Sequence, residues 1–308
     1  MGIHRLMTII KDKCPRALKS LDLKSLTGYK LACDASMSIY QFLISTQSFT
    51  NGFGLSELSD KDGNKTGHLV GLLNRSILMI ENGIRPIWVF DGKPPDLKMK
   101  LIEERKKKKQ IAEDKLSFAE TEEDVLKYAG QTIRITPQMT EDAKKLINLL
   151  GLPVVEAPYE AEAQCTSLVK EGLAYAVVSE DMDCLTFGTP YLIKGIGSKE
   201  NTITQIDLSI VLEELDVTMD EFIDICILCG CDYTGSIENI GPVKAYNYIK
   251  EYKNIEGILN FVNEEKSNEK RKKKYNYDLD EFKFVEARKL FKEPGVTKGE
   301  ELNVIKLK

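Results

Sequence analysis

The sequence predicts an α/β fold built on a mostly parallel central sheet flanked by helices. Short apolar runs of strand length alternate with segments of helical periodicity. The runs are Lys30-Leu31-Ala32-Cys33, Pro86-Ile87-Trp88-Val89-Phe90, Pro153-Val154-Val155 and Ala174-Tyr175-Ala176-Val177-Val178. Three of them end on acidic residues: Asp34, Asp91 and the stretch Ser179-Glu180-Asp181-Met182-Asp183.

The helices follow in order. Met37 to Ile44 succeeds the first strand, and Leu69 to Ile80 precedes the second with apolar residues at helical spacing. Leu97 to Lys127 is long, polar and charged, with few residues fit for a core. Glu141 to Leu150 stops at Gly151, and Glu160 to Lys170 stops at Glu171-Gly172. Beyond Met219 the pattern turns helical. One helix covers Asp220 to Cys229, a turn-rich stretch runs from Gly230 to Gly241, and a second helix begins at Pro242, which suits a first helical position. Asn263 to Lys274 reads as an exposed loop, and no internal repeat is visible.

Composition narrows the function. The chain has 308 residues with 43 Lys and Arg against 48 Asp and Glu, a net charge of −5, which argues against whole-molecule attraction to nucleic acid. Positive charge concentrates locally at Lys93–Lys109 and at Lys270–Lys274. No apolar run approaches the ~20 residues that span a bilayer. Met1–Lys11 lacks a signal-peptide core, and Leu6 stands where myristoylation wants Ser or Thr, so an intracellular, unanchored protein is expected. The 7 cysteines are an odd, scattered set, not a disulfide framework. Cys226-x-x-Cys229-x-Cys231 lacks the second ligand pair a zinc site needs and lies in an apolar helix, so buried thiols are expected. Only 2 histidines are present, His4 and His68, without a nearby nucleophile; any catalysis falls to carboxylates or a metal.

In open α/β sheets, ligands bind outside the carboxyl ends of the strands. Asp34, Asp91, Asp181 and Asp183 would share that edge, joined by Glu160 and Glu162 at a helix start and by Asp232 in a turn. Each alone has an ordinary structural reading as a helix cap, a turn residue or a loop acid. Together they repel one another unless cations neutralise them. Oxygen-only ligands select Mg²⁺, Mn²⁺ or Ca²⁺. Two ions ~3.5–4 Å apart suit so many acids and promote in-line displacement at phosphorus.

These residues lie in blocks that closely resemble the flap endonucleases, the structure-specific 5′ nucleases of replication and repair. The blocks are the segment from Asp34 through Tyr40 to Leu43, Val89-Phe90-Asp91-Gly92-Lys93-Pro94-Pro95, Glu160-Ala161-Glu162-Ala163, Glu180 to Gly188, Gly230-Cys231-Asp232-Tyr233 and Ile240-Gly241-Pro242. Met1-Gly2-Ile3 fits as well, the wording is closer to eukaryotic than archaeal members, and the likeness spans nearly the whole chain. The resemblance implies that Asp34, Asp91, Glu160, Glu162, Asp181, Asp183 and Asp232 hold two Mg²⁺, with Mn²⁺ as an alternative, several of them through water. It implies that Lys98 and Arg105 contact the scissile phosphate from the base of a helical arch; seven apart, they share a helical face. Tyr40 matches an aromatic on which the neighbouring nucleobase stacks. Thr66 falls where the family grips a 3′ flap and Arg75 where it contacts DNA. Gly2, Gly230, Glu160 and Asp232 are further expected DNA neighbours. Asp220–Tyr252 resembles the family's helix–two-turn–helix unit, where Gly241, Pro242 and Lys244 bind duplex phosphates, often with K⁺ held by carbonyls.

Two departures stand out. Gln47 occupies a position where the family often has a DNA-contacting Arg, so somewhat weaker or redistributed duplex contact is expected. The chain stops at Lys308, short of the clamp-binding motif and basic tail with which the family usually continues. The implied organisation is a nuclease region over 1–109, the rest of a charged arch over 110–132, a second nuclease region over 133–258 containing the two-helix unit 219–252, and a C-terminal segment 259–308, together one domain. The resemblance further implies a nuclear monomer that acts on branched duplex DNA with a 5′ flap and leaves 5′ phosphate and 3′ hydroxyl ends; in the family a sliding clamp is met through a tail absent from this chain. A non-catalytic branched-DNA binder is the alternative, although such a protein need not keep seven like charges together. A phosphatase of the DxD type suits Asp181-Met182-Asp183 less well: Leu185 stands where Thr or Val is usual, and the motif lies far beyond the first strand.

Overall fold

The computed structural model describes residues 2–302 apart from 47, 51–53, 57, 120, 198–201, 268–276 and 279. Its strands are β1 (Leu18–Asp22), β2 (Lys30–Asp34), β3 (Ser48–Thr50), β4 (Gly54–Ser56), β5 (Arg85–Phe90), β6 (Val154–Glu156), β7 (Ala176–Val178), β8 (Tyr191–Lys194) and β9 (Thr202–Asp207). Seven of them form one sheet in the order β1-β9-β8-β7-β2-β5-β6, and β3 and β4 form a small hairpin. The four runs read from the sequence are the adjacent parallel strands β7, β2, β5 and β6. β8 extends the parallel set, and β9 pairs antiparallel with both β8 and β1.

The helices are α1 (Leu6–Lys13), α2 (Ala35–Ser45), α3 (Gly67–Glu81), α4 (Met99–Ser117), α5 (Glu122–Thr132), α6 (Pro137–Leu149), α7 (Ala161–Lys170), α8 (Asp183–Thr186), α9 (Leu208–Leu215), α10 (Met219–Cys229), α11 (Pro242–Tyr252), α12 (Ile255–Ser267) and α13 (Phe284–Lys292). Alternate strand residues serve two cores. Ala32, Val89 and Val177 pack on one face with α1, α7 and α10; Leu31, Cys33, Trp88 and Phe90 pack on the other with α2, α3 and α6. Burial on both faces explains why these strands read as unbroken apolar runs and not as alternating ones.

Two departures from the sequence reading have simple causes. β1 and β9 carry Lys, Ser, Thr and Gln, because they form an antiparallel edge pair with one partly exposed face. α12 runs to Ser267, so the first part of the loop expected from Asn263 is helical; Ile255, Ile258 and Val262 are buried at helical spacing and carry the helix on. The basic cluster Lys270–Lys274 lies outside the described residues.

The long polar segment is a pair of helices, α4 and α5. Ala112 is the one buried residue of α4 among the described residues, so this helix keeps almost its whole circumference in solvent. Cys226 and Cys229 are buried in α10, and burial pushes the Cys229 thiol up to about 12. All 7 cysteines are free. Among the described residues, no helix is long and apolar enough to cross a membrane.

Candidate active site

The carboxyl edge of β7-β2-β5-β6 places the acids. Asp34 is both the last residue of β2 and the N-cap of α2: its Oδ1 accepts from the Met37 N–H at 2.9 Å, and its Oδ2 accepts from the Ser179 hydroxyl at 2.9 Å. Asp91 follows β5, and its Oδ1 accepts from the Ala161 N–H at 2.8 Å, which anchors the start of α7. Gly92 makes this junction possible. A Cβ there would lie 2.1 Å from the Ala157 carbonyl oxygen, so only glycine lets the two loops meet. Glu160 caps α7 and Glu162 lies in its first turn. Beyond β7, the Ser179 hydroxyl accepts from the Asp181 N–H at 3.0 Å, and Asp181 Oδ1 accepts from the Asp183 N–H at 2.9 Å. Asp232 lies just past α10, after Gly230 turns the chain at φ 104°.

The N-terminal segment closes the same crevice. The His4 N–H donates to the Gly230 carbonyl at 3.2 Å. Gly2 adopts φ 74°, and a Cβ on it would fall 1.8 Å from Asp181 Oδ1 and 2.6 Å from Asp183 Oδ1.

Burial and mutual repulsion dominate the electrostatics. Asp34, Glu160, Asp181 and Asp183 are buried, Glu162 and Asp232 half-buried, and Asp91 exposed. Burial, then the charge of Asp91, raises the Asp34 carboxyl to about 7. Burial, then Asp34 and Asp91, holds Glu162 well above the usual carboxylate range. Burial, then Asp181 and Asp232, does the same for Asp183. Burial also raises Glu160 and Asp181. These pairwise repulsions tie all seven acids into one group.

Basic groups answer part of this charge. The Lys98 ammonium pairs with Glu160 Oε1 and lies 3.1 Å from Asp232 Oδ2, while Arg105 Nη2 donates to Asp232 Oδ1 at 2.8 Å. Burial works against the Lys98 cation, yet Glu160 and Asp232 hold its proton affinity above the usual lysine range. Lys98 and Arg105 therefore share one face of the arch base, as their spacing implied. The Tyr233 hydroxyl donates to Glu160 Oε2. Tyr233 had no role in the sequence reading, although it follows Asp232 directly; a fully buried tyrosine seeking a partner for its hydroxyl was the available signal.

Among the described residues, no three acidic, His or Cys side chains stand close enough together to enclose one ion. Lys98 lies between Glu160 and Asp232 instead. The fit to a cation rests on other features. Asp183 Oδ1 is buried without a hydrogen-bond partner, the donors are all oxygens, and every shifted acid is shifted toward excess proton affinity. Such a set suits hard divalent cations.

A stability prediction follows. An acid whose proton affinity is higher folded than unfolded adds stability below its unfolded value and loses it as pH rises through the folded one. For Asp34 that window runs from its ordinary 3.8 to about 7. The cation-free protein is expected to melt at a falling temperature as pH rises from 5 to 8, and Mg²⁺ is expected to raise the melting temperature more at pH 8 than at pH 6. Thermal melts with and without EDTA check both; a melting temperature that is level or rising with pH in EDTA overturns the account.

The remaining expected residues are spread more widely. Tyr40 is half-buried on α2. Arg75 serves α2: its Nη1 donates to Ser38 Oγ at 3.2 Å and Gln41 Oε1 at 3.1 Å, and its guanidinium lies 4.4 Å from the centroid of the Phe42 ring. Thr66 caps α3 without a side-chain bond to the helix. Gly241 caps α11, and the Lys244 ammonium donates to the Asn239 carbonyl at 2.7 Å within the turn before it. Gln47 lies outside the described residues.

Residues 1–112 match the XPG N-terminal domain and residues 151–232 the XPG I-region. The chain is 47% identical over 307 residues to flap endonuclease 1 of Tetrahymena thermophila, a match covering 99% of this chain and 79% of the relative. It is 48% identical over 310 residues to flap endonuclease 1-1 of Paramecium tetraurelia, with the same coverage, 99% and 79%. Among solved structures it is similar to flap endonuclease-1 from Methanococcus jannaschii, at 35% identity and TM-score 0.68, over 94% of this chain and 85% of that one. It is also similar to the catalytic core of Rad2 in complex with DNA substrate, at 27% identity and TM-score 0.72, over 96% and 88%. The higher identity to the ciliate proteins than to the archaeal one accords with the eukaryotic wording of the motifs. A mostly parallel sheet with acids gathered at its carboxyl edge, together with the two XPG matches, defines a structure-specific nuclease of the XPG class, a DNA-cleaving hydrolase. Within that class, the chain belongs to the flap endonuclease family, whose members depend on divalent metal.

Proposed function

We propose that the chain is a 5′ flap endonuclease and 5′–3′ exonuclease that cuts branched DNA near the single-strand–double-strand junction, in flap removal during replication and in repair. One observation carries the reading: seven acids of raised mutual repulsion share one crevice, with a buried Asp183 oxygen left unpartnered. Asp34, Asp91, Glu160, Glu162, Asp181, Asp183 and Asp232 would hold two Mg²⁺, or Mn²⁺, which supply an activated water and charge neutralisation at the leaving oxygen.

The chain's own residues do the rest. Lys98 and Arg105, which pair with Glu160 and Asp232 here, turn their donors to the scissile phosphate and stabilise the charge that develops on it. Tyr40 supplies an aromatic face for the adjoining base. Ser179 holds Asp34 and the Asp181 amide in register, and Tyr233 orients Glu160. Gly2, Arg75 and Gln47 are DNA neighbours, Thr66 grips a 3′ flap, and Gly230, Gly241 and Lys244 carry the duplex at the helix–two-turn–helix, with K⁺ held by turn carbonyls. These contacts go to phosphate and shape, so binding is salt-sensitive and largely independent of sequence. The protein acts as a monomer in the nucleus.

The test is cleavage of a double-flap DNA, with the cut mapped to the nucleotide. Mg²⁺ is expected to give a single cut at the junction and EDTA none. Ca²⁺ is expected to support DNA binding without efficient hydrolysis, because its larger, looser shell places water poorly. Flap binding with no cleavage in Mg²⁺ would favour the non-catalytic binder, and robust cleavage in Ca²⁺ would contradict the paired-ion reading.

A further inference from the structure

Lys194 closes β8, one residue beyond Ile193, which pairs with Val178 across the parallel β7–β8 register. Its side chain therefore sits at the carboxyl edge of the sheet, beside the 179–183 turn that carries Asp181 and Asp183. The ammonium donates to the main-chain carbonyl of Glu180 at 2.6 Å. It also lies 3.3 Å from Glu180 Oε2 and 3.7 Å from Met182 Sδ. The Gly195 N–H donates to Glu180 Oε1 at 2.8 Å. Two consecutive residues thus grip Glu180 by its carbonyl and by both carboxylate oxygens.

This grip differs in kind from the other cations near the crevice. Lys98 and Arg105 pair with Glu160 and Asp232 themselves. Lys194 pairs, among the described residues, with Glu180, which belongs outside the group of seven. Asp181 and Asp183 are buried beside other negative charges, which repel them. On the inner side the turn is held to Asp34 through Ser179. On the outer side it is held to β8 through Glu180. The outer hold uses no side-chain oxygen of Asp181 or Asp183.

We propose that Lys194 and Glu180 form a positioning clamp that fixes the Asp181–Asp183 turn and thereby sets the affinity of the crevice for divalent cations. The proposal rests on the reading of that crevice as a divalent-cation site. Neither residue touches an ion or substrate; both act through the backbone of the turn. Outer partners of this type change metal affinity by about 10- to 100-fold.

The experiment titrates Mn²⁺ into the intact chain and reads free Mn²⁺ by electron paramagnetic resonance, alongside circular dichroism in EDTA. Lys194→Met is expected to fold and to bind Mn²⁺ about tenfold more weakly. Lys194→Arg, which keeps a donor and a charge in reach of Glu180, is expected to return affinity to within about threefold of the parent. Glu180→Ala, at a partly exposed site that tolerates truncation, is expected to weaken binding like Lys194→Met and serves if that variant does not fold. Parent-like Mn²⁺ affinity in the folded variants overturns the clamp, as does an arginine variant as weak as the methionine one. A parent chain that binds no Mn²⁺ overturns the cation reading itself, a result distinct from either.

Discussion

Asp181→Ala is expected to abolish hydrolysis while leaving DNA binding close to that of the parent. Asp181 is buried in the crevice, and its one hydrogen bond among the described residues that would be lost is to the Asp183 N–H. A cation ligand or its water anchor acts mainly on the charge of the transition state. The single-turnover rate on a double-flap DNA is therefore expected to fall by at least about 10³-fold, some 4 kcal/mol. Duplex contacts come from other residues, so Kd measured in Ca²⁺ is expected to stay within about threefold. Removing one of several crowded like charges also relieves repulsion, and the variant in EDTA is expected to melt no lower than the parent at pH 8. Lost activity in a protein of equal or greater stability marks a functional acid, since loss of a structural group would lower both. A rate near that of the parent would remove Asp181 from the site.

Lys98→Ala is the second large effect. Its ammonium lies between Glu160 and Asp232, beside the Arg105–Asp232 pair. Loss of a donor aimed at developing charge is expected to cost about 10²–10³-fold in single-turnover rate. The change in Kd is expected to be small, because one phosphate contact among many is lost. Glu160 then lacks its cation, its proton affinity rises further, and the ascending limb of the pH–rate profile is expected to move to higher pH. A pure loss of affinity with an unmoved profile would assign Lys98 to the general DNA-binding surface.

Much of this site was legible because its acids sit where strands end, and strand ends are readable. β2, β5, β6 and β7 are buried on both faces, so their apolar runs stood out, and the residues after them fell on one edge by topology alone. The helix starts at Ala161 and Pro242 were equally clear, each from a local signal. What escaped was set by partners distant in sequence. β1 is a strand because β9 lies beside it, and its Lys and Ser say little on their own. Lys98 could be placed on a helical face, but not between Glu160 and Asp232, which lie 62 and 134 positions away in the chain. Tyr233 and Ser179 act through hydroxyls whose acceptors belong to other elements, and spacing carries no trace of such a bond. Arg75 is a further case: its guanidinium meets Ser38, Gln41 and Phe42 on α2, the helix that carries Tyr40, and spacing alone did not show these partners.

The close approach of residue 2 to Asp181 and Asp183 has a practical consequence for anyone preparing this protein. An affinity handle, a cleavage scar or a fluorescent fusion attached ahead of Gly2 would begin beside Asp181 and Asp183, in the crevice proposed as the active site. Such a preparation could fold normally and still look inert. Purification handles therefore belong at the opposite terminus, and dye labelling for single-molecule work does too.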